Sequence, residues 1–293
     1  MRRRLLVVAV VTLATACASR TAPTTPPTPV SPPAPPLAPP PPVGGRPTDV
    51  IRLGPSAMRY TTHQLVHIDQ ELPTGRQQFT YGLRPFYRVT ITGPADSVGY
   101  PMTVSIDSIV PDSGTTVPMN VDLRVAKGLS FVGRLTPQGD FRNPTPSDSV
   151  AAQAVSPIVG SFRNFFPRLP ASGITLGATW TDSLTMNDRA TGNVTVKSVM
   201  RSHASVWEER NGVRCVRIET ATTFTIQGGG EQLGQRFDVA GTGVRNGIDY
   251  LAVDGRYMGG ESTDSTNMTI SLPVQSTTIP RTQVSKTTVT VLP

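Results

Sequence analysis

The residues that could do chemistry in this chain are few and widely spaced. The three histidines are His63, His67 and His203. His63 and His67 are four residues apart, a spacing that suits zinc binding on a helix. The stretch around them alternates like a strand, however, and a strand would put the two side chains about 13 Å apart, too far to share one ion. The sequence therefore predicts no metal site.

The sequence also lacks the usual nucleophile motifs. Residues 128–133 have the wrong spacing for a Gly-x-Ser-x-Gly elbow. Cys215 lies in a strand-like run with no neighbouring histidine or helix N-terminus to lower its thiol pKa, so we expect an inert, buried side chain. Residues 228–230, three glycines that we interpret as a loop, are not followed by the Lys-Ser/Thr of a phosphate loop. We predict no catalytic residues, no cofactor and no enzyme activity.

The first residues have the composition of a secretory signal peptide. Three arginines at 2–4 precede an apolar run at 5–13 and the small residues Ala14, Thr15 and Ala16. This run is too short to span a bilayer, which needs about 20 apolar residues. Residues 1–16 are therefore predicted to be a signal peptide.

The cysteine that follows the small residues resembles the lipobox of bacterial lipoprotein precursors. The resemblance implies cleavage before Cys17 and a membrane anchor through lipid on its sulfur. Ala18 stands where an inner-membrane retention signal usually has Asp. By the same resemblance this favours the outer membrane in a host with two membranes, on its periplasmic side or at the surface. An ordinary secreted protein is the alternative.

The chain after Cys17 divides into a tether and one folded region. Residues 21–47 are almost all Pro, Thr, Ala, Ser and Val. Such a segment favours extended polyproline II at ~3.1 Å per residue, so it could hold a domain on the order of 80 Å from the membrane. We therefore assign 17–47 to the lipidated cysteine and a disordered tether, and 48–293 to a single β-rich domain.

Charge argues against nucleic acid as a partner. The chain carries 27 basic and 20 acidic residues, a net charge of +7, and removal of the three arginines at 2–4 leaves +4. The basic residues are scattered, whereas nucleic-acid binding needs a clustered basic face. The sequence points to no particular protein partner.

Alternating runs rich in Val, Ile, Thr, Tyr and Phe predict a mainly β domain. The predicted strands are 58–72, 78–91, 99–109, 119–125, 129–135, 141–142, 179–185, 192–209, 213–226, 235–246, 248–253, 257–269 and 277–291. Asn211-Gly212 and Asp254-Gly255 are the strongest hairpin turns. Strands joined by short turns form an antiparallel meander.

One segment, at about 148–166, has helical rather than strand periodicity. Asp148 can cap it, and apolar residues follow at spacings of three and four, interrupted by Pro157. We predict a strongly curved antiparallel sheet or incomplete β-barrel with this helical segment packed on it; a β-sandwich is the alternative. A weak sequence similarity between the segments before and after this helical segment suggests that 48–146 and 170–293 are related halves.

Residues 162–180 carry a family resemblance. Leu169-Pro170 is followed by Leu176-Gly177-Ala178-Thr179-Trp180, and this LP…GxxW pattern, with the strands after it, resembles an uncharacterised family of β-rich bacterial lipoproteins. More distantly, long antiparallel strands with a covering helix are similar to the half-barrels of lipoprotein and lipid carriers. That resemblance implies a ligand site between the sheet and the helix.

Four aromatic side chains are the candidates for lining such a hydrophobic pocket: Phe162, Phe165, Phe166 and Trp180. The alternative is that they belong to the core, as buried aromatic residues usually do. From these observations we expect an envelope lipoprotein that binds a hydrophobic ligand or lipid without catalysis. The alternative is a structural or protein-interaction module displayed on a tether.

Overall fold

The structure is a computed structural model that describes residues 49–116, 122–155, 165–188, 193–232 and 234–293. The signal peptide, Cys17, the tether and Phe162 lie outside the described residues. The predictions that concern them therefore stay predictions. No helix among the described residues has the length and apolar character needed to cross a bilayer.

The described chain forms eleven strands and one short α-helix. The strands are β1 Ser56–Leu72, β2 Gly75–Ile91, β3 Tyr100–Pro111, β4 Ser130–Leu135, β5 Phe141–Pro146, β6 Thr179–Asp188, β7 Asn193–Arg210, β8 Val213–Gln232, β9 Gln235–Ala252, β10 Tyr257–Leu272 and β11 Thr277–Leu292. Helix α1 is Ser149–Ala154, and short 3-10 helices occupy Leu123–Ala126 and Pro273–Gln275. Asn211 and Gly212 both have positive φ, as a tight hairpin turn requires.

All eleven strands belong to one antiparallel sheet in the order β5-β4-β3-β2-β1-β11-β10-β9-β8-β7-β6. Every neighbouring pair is consecutive in sequence except β1 and β11, which pair at the centre from Arg59–Leu292 to Gln70–Arg281. The edges are therefore β5 and β6, and residues 147–178, here called the connector, join them. The mainly β, antiparallel prediction is confirmed, and a β-sandwich is not what forms.

The sheet must be strongly curled, because one side chain reaches both of its edges. Ten steps of 4.7–4.9 Å would put the edges of a flat eleven-stranded sheet ~48 Å apart. Yet the guanidinium of Arg168 pairs with Asp140, in the turn before β5, and with Asp182 of β6. The sheet is therefore an incomplete barrel, and Arg168 of the connector links its two edges.

Alternation along the strands gives the sheet an inner and an outer face. On β1 the inner face carries the even-numbered residues from Tyr60 to Gln70, and the register places Tyr87 opposite Tyr60. The same alternation runs through β8, where Phe224 and Ile226 are buried and Thr223 and Thr225 are exposed. The main core covers the inner face at the end where β1 begins, and the N-terminal Ile51 and Leu53 are buried in it.

The predicted helix over 148–166 is only weakly supported, and residues 156–164 lie outside the described residues. Its described helical part is only α1, which Asp148 caps by accepting hydrogen bonds from the N–H groups of Val150 and Ala151. The helix ends at Ala154, three residues before Pro157. A residue that precedes a proline disfavours the helical conformation. Residues 165–170 are not helical either: two prolines interrupt them, and Leu169 N–H bonds to Gln138.

Two other local predictions also fail. Residues 123–125, predicted to end a strand, lie in the 3-10 helix that Asp122 caps. The three glycines at 228–230 continue β8 instead of forming a loop. In chain order they pair with Val239, Asp238 and Phe237 of β9. The prediction that 48–146 and 170–293 are related halves stays a prediction; the two sides lie next to each other in the sheet.

Candidate functional site

Phe165 and Phe166, two of the predicted pocket residues, lie in a packed aromatic cluster under the connector. The Phe165 ring meets Tyr60, Tyr87, Tyr257 and Phe166 edge-on, with centroids 5.0 to 5.3 Å apart. Such edge-to-face contacts stabilise a core beyond the area that they bury. In this conformation Phe165 therefore fills the space between β1, β2 and β10.

The tyrosines of this cluster have satisfied hydroxyl groups. Tyr60 donates to the carbonyl of Tyr257 at 2.8 Å, Tyr257 donates to Asp249 Oδ1 at 2.7 Å, and Tyr87 shares a short hydrogen bond with Thr62. Burial raises the pKa of all three tyrosines above the ordinary value. The aromatic cluster therefore supplies packing and neutral hydroxyls, with no phenolate for catalysis.

Trp180, the remaining described candidate, sits at the edge of the same core. Its indole N–H donates to the carbonyl of Arg168 at 3.0 Å, while Arg168 Nε donates to Asp182 Oδ2 at 2.5 Å. Trp180 thus holds the connector against β6. The role of Phe165, Phe166 and Trp180 in binding a ligand stays a prediction. Phe165 and Phe166 are packed in the core, whereas Trp180 also lines a groove on the outer face.

Further along the inner face lies a group of buried polar residues that the sequence analysis missed. The inner polar cluster comprises seven buried side chains of β1, β10 and β11: Gln70, Ser262, Asp264, Thr266, Arg281, Gln283 and Ser285. All belong to one face, since the register pairs Asp264 with Ser285, Thr266 with Gln283, and Gln70 with Arg281. Polar groups buried this deeply are normally hydrogen-bonded.

Three members of the cluster depart from that rule. Neither carboxyl oxygen of Asp264, nor the hydroxyls of Thr266 and Ser285, has a hydrogen-bond partner among the described residues. Burial, opposed by Arg245, raises the pKa of Asp264 to about 7. Burial also lowers the pKa of Arg281 to about 10, and Arg281 donates to Gln283 Oε1 at 3.0 Å. The cluster thus has unused hydrogen-bonding capacity inside the curled sheet.

An apolar patch adjoins these polar groups on the same face. The apolar inner cluster comprises seven buried side chains of β7 to β10: Val194, Val196, Phe224, Ile226, Phe237, Val239 and Met268. Gly243 makes room for it, because a Cβ there would lie 2.0 Å from the Phe224 ring. Met268 follows Thr266 on the inner face of β10, so the polar and apolar surfaces are continuous.

The outer face of the sheet carries a concavity. A groove of about 840 Å³ crosses β6 to β9 and is lined by Arg201, His203, Arg217 and Glu219, among others. Arg217 already pairs with Glu208 and Glu219, each at 3.1 Å. Arg217 is thus charge-paired within the protein. We regard the inner face as the stronger candidate site, because its buried polar atoms have no hydrogen-bond partner among the described residues.

Of the residues considered first for chemistry, His203 lines the outer groove, whereas His63, His67 and Cys215 are apart from both places. His63 contacts Asp112 Oδ2 at 2.7 Å and His67 contacts Thr80 Oγ1 at 3.0 Å, so the two histidines have different partners on the outer face. Cys215 is fully buried, and burial raises the pKa of its thiol to about 11. This thiol is therefore protonated and inert at neutral pH, as expected.

A sequence signal for the inner polar cluster does exist in β10. Residues 262–267 read Ser-Thr-Asp-Ser-Thr-Asn, which is polar on both faces although β10 lies near the middle of the sheet. A central strand that is polar on both faces indicates a polar interior. This signal cannot be interpreted from the sequence alone. β10 lies near the middle of the sheet only because β1 pairs with β11.

Comparisons with known proteins add little. No protein-family model and no curated protein matches the chain. Among solved structures, one described as a "putative outer membrane lipoprotein-sorting protein domain" from Vibrio parahaemolyticus aligns with 79% of this chain and 85% of its own, at 6% identity and a TM-score of 0.12. A likeness at that score carries no argument about this chain, so its function must be inferred from its own residues.

Proposed function

We propose that this chain is a lipid-anchored protein of the bacterial envelope that binds a hydrophobic ligand or lipid, without catalysis, inside its curled sheet. The signal peptide and Cys17 support the location. The observation that carries the binding role is the inner face itself, where buried polar atoms without a hydrogen-bond partner among the described residues adjoin the apolar inner cluster. Sites for small molecules combine mainly apolar walls with a few such polar groups.

We place the entry to this site on the β6 and β7 side. Inner-face side chains there, such as Leu184, Met186 and Met200, are only half-buried, whereas their counterparts on β10 and β11 are buried. Arg245, next to Asp264, keeps 32% of its side chain exposed. A ligand can therefore approach the polar cluster past Arg245 while Arg168 keeps the edges linked at the aromatic end.

The binding role is tested by making one face of the sheet more polar and leaving the other unchanged. Val194→Thr with Val196→Thr alters two inner residues at nearly constant shape, and Val199→Thr with Val244→Thr makes the same change on the outer face. Full-length protein is extracted from an envelope in mild detergent, and its bound lipid is measured by mass spectrometry. We expect lipid on the wild type and on the outer variant, and at least tenfold less on the inner one.

The outcome that contradicts the proposal is equally definite. Wild-type protein without bound lipid, or equal lipid on the inner and outer variants, overturns binding inside the sheet. Circular dichroism and thermal unfolding of each variant show that loss of lipid is not loss of fold.

A tethered interaction module is the second candidate, and the edge strand β6 favours it. β6 is ten residues long, lies at the end of the sheet, and contains none of the prolines or lysines that usually protect an edge from pairing. An extended peptide can add to such an edge. If the lipid measurement fails, peptide binding at β6 is the next hypothesis to test.

A further inference from the structure

Three neighbouring side chains in the inner polar cluster form a small hydrogen-bonding surface. Asp264 and Ser285 lie directly opposite each other on β10 and β11, and Thr266 is the next inner-face residue of β10. Their exposed fractions are 1%, 1% and 0%. Two carboxyl oxygens and two hydroxyls are thus brought together, and none has a hydrogen-bond partner among the described residues. Leaving such groups unsatisfied costs about 1–3 kcal/mol each.

The charged side chains around this surface indicate which kind of ligand head group could form hydrogen bonds with it. Arg245 Nε lies 3.8 Å from Asp264 Oδ1, and Arg245 also acts electrostatically on Asp249. With Arg281, the inner face here holds two guanidinium groups and two carboxyl groups. A cationic head group would meet Arg245, and an anionic one would meet Asp264. A neutral group adds no uncompensated charge to a buried site, where such a charge is very costly.

We propose that Asp264, Thr266 and Ser285 form the head-group subsite for a neutral amphiphile that carries several hydroxyl groups, such as a glycerol or a sugar on one alkyl chain. This inference rests on the proposed function and makes it specific. The carboxyl oxygens of Asp264 accept from two ligand hydroxyls, and Thr266 and Ser285 donate to them or accept from them. The alkyl chain continues past Met268 into the apolar inner cluster.

The position of the tail follows from the glycines of β9. Gly241 and Gly243 face Met268 and Thr266 across the β9–β10 pair. A Cβ at Gly241 would lie 2.7 Å from Met268 Cβ, and one at Gly243 would overlap the Phe224 ring. These glycines allow Met268 and Phe224 to lie over β9 directly beside the hydroxyl-bearing surface. The polar head and the apolar tail of one small molecule can therefore be held together.

The test compares head groups at constant chain length. The full chain with Cys17→Ser removes the lipid anchor, so binding can be measured by calorimetry without detergent. The probes carry twelve carbons and differ in the head: glycerol monoester, glucoside, carboxylate and trimethylammonium, each below its micelle concentration. We expect the glycerol and glucose probes to bind at least tenfold more tightly than the two charged ones, and the better of the two shows which neutral head group the subsite fits more closely.

Substitutions in the subsite test whether its side chains cause the preference for neutral head groups. Thr266→Val with Ser285→Ala should weaken the neutral probes about tenfold and leave the carboxylate probe unchanged. Asp264→Asn should also weaken the neutral probes about tenfold, but it should strengthen binding of the carboxylate probe, because it removes the carboxyl group that an anionic head would meet. Thr269→Val, on the exposed face of β10, is the matched control and should change nothing. Equal affinity for all four heads, or variants without effect, overturns the head-group inference while the binding role stands. If no probe binds, the proposed function fails and this inference with it.

Discussion

At the scale of single residues, Asp264 gives the clearest pH signature. Its pKa is about 7 in the folded protein and about 3.9 in an unfolded chain, so the folded state holds the proton more tightly. Folding is therefore favoured at low pH, and this contribution is lost as the pH rises from about 4 to 7. We expect Asp264→Asn to gain stability over the wild type across that range, by up to a few kcal/mol.

Urea unfolding at pH 5 and pH 8 measures this difference. The stability of Asp264→Asn relative to wild type should be higher at pH 8 than at pH 5. Asp238→Asn changes an exposed carboxylate on β9 and should stay within about 0.5 kcal/mol of wild type at both values. A difference for Asp264→Asn that is the same at both pH values would show that this carboxyl group does not hold its proton in the folded state.

Arg168 supports a second prediction at this scale. Its guanidinium is mostly buried and links Asp140 to Asp182, whereas Arg142 lies 3.7 Å from Asp140 and is largely exposed. Arg168→Met leaves two partly buried carboxylates without their cation and should cost about 2 kcal/mol. Arg142→Met should cost less than about 0.5 kcal/mol. Similar costs for both in urea unfolding would refute a link between the sheet edges.

At the scale of elements, the packing of β8 on β9 depends on a glycine, Gly243, which has no side chain. A Cβ at Gly243 would lie 2.0 Å from the Phe224 ring, whereas a Cβ at Gly247 would make ordinary contacts of 3.5 Å. Gly243→Ala should therefore destabilise by about 1–3 kcal/mol, and Gly247→Ala by clearly less. Combining Gly243→Ala with Phe224→Leu should cost less than the sum of the single changes. Additive costs in thermal or urea unfolding would mean that the two residues do not touch.

Elements are also where sequence reasoning succeeded most. Alternation located most strands to within a few residues, and Asn211-Gly212 and Asp254-Gly255 form hairpin turns as predicted. These are local features, set by side-chain period and by backbone that tolerates positive φ. Of the predicted helix, the described residues contain α1, and the prediction does not hold at residues 165 and 166, which directly precede Pro167. Phe165 and Phe166 serve tertiary packing there.

The pairing of β1 with β11 could not be predicted in the same way. These strands are about 200 residues apart, and no local pattern identifies the partner of a strand when every neighbouring strand also alternates. The inner polar cluster depends on that pairing, because Ser285 and Gln283 meet Asp264 and Thr266 only once β11 lies in the centre. The candidate site could therefore not be predicted from the sequence, whereas the aromatic residues of the core could be recognised in it.

At the scale of the whole molecule, the proposed lipid anchor at Cys17 predicts where the protein is located. Cys17→Ser removes the sulfur to which the lipid would be attached. We expect the variant to lose incorporation of radiolabelled palmitate and to move from the membrane fraction to the soluble envelope fraction, with its thermal unfolding unchanged. Cys215→Ser, at a buried thiol, should keep both the label and the membrane location. Label retained by Cys17→Ser would contradict lipid anchoring.

The central claim is that the curled sheet holds a hydrophobic ligand on its inner face. Photolabelling tests it most directly: full-length protein in native membranes is given a sixteen-carbon glycerol ester with a diazirine at the end of its chain, and labelled peptides are sequenced. We expect labels on the apolar inner cluster, at residues such as Val196, Ile226 and Met268, that unlabelled ester removes. Labels confined to exposed outer residues such as Val199 and Val244, or unaffected by competition, would contradict the claim.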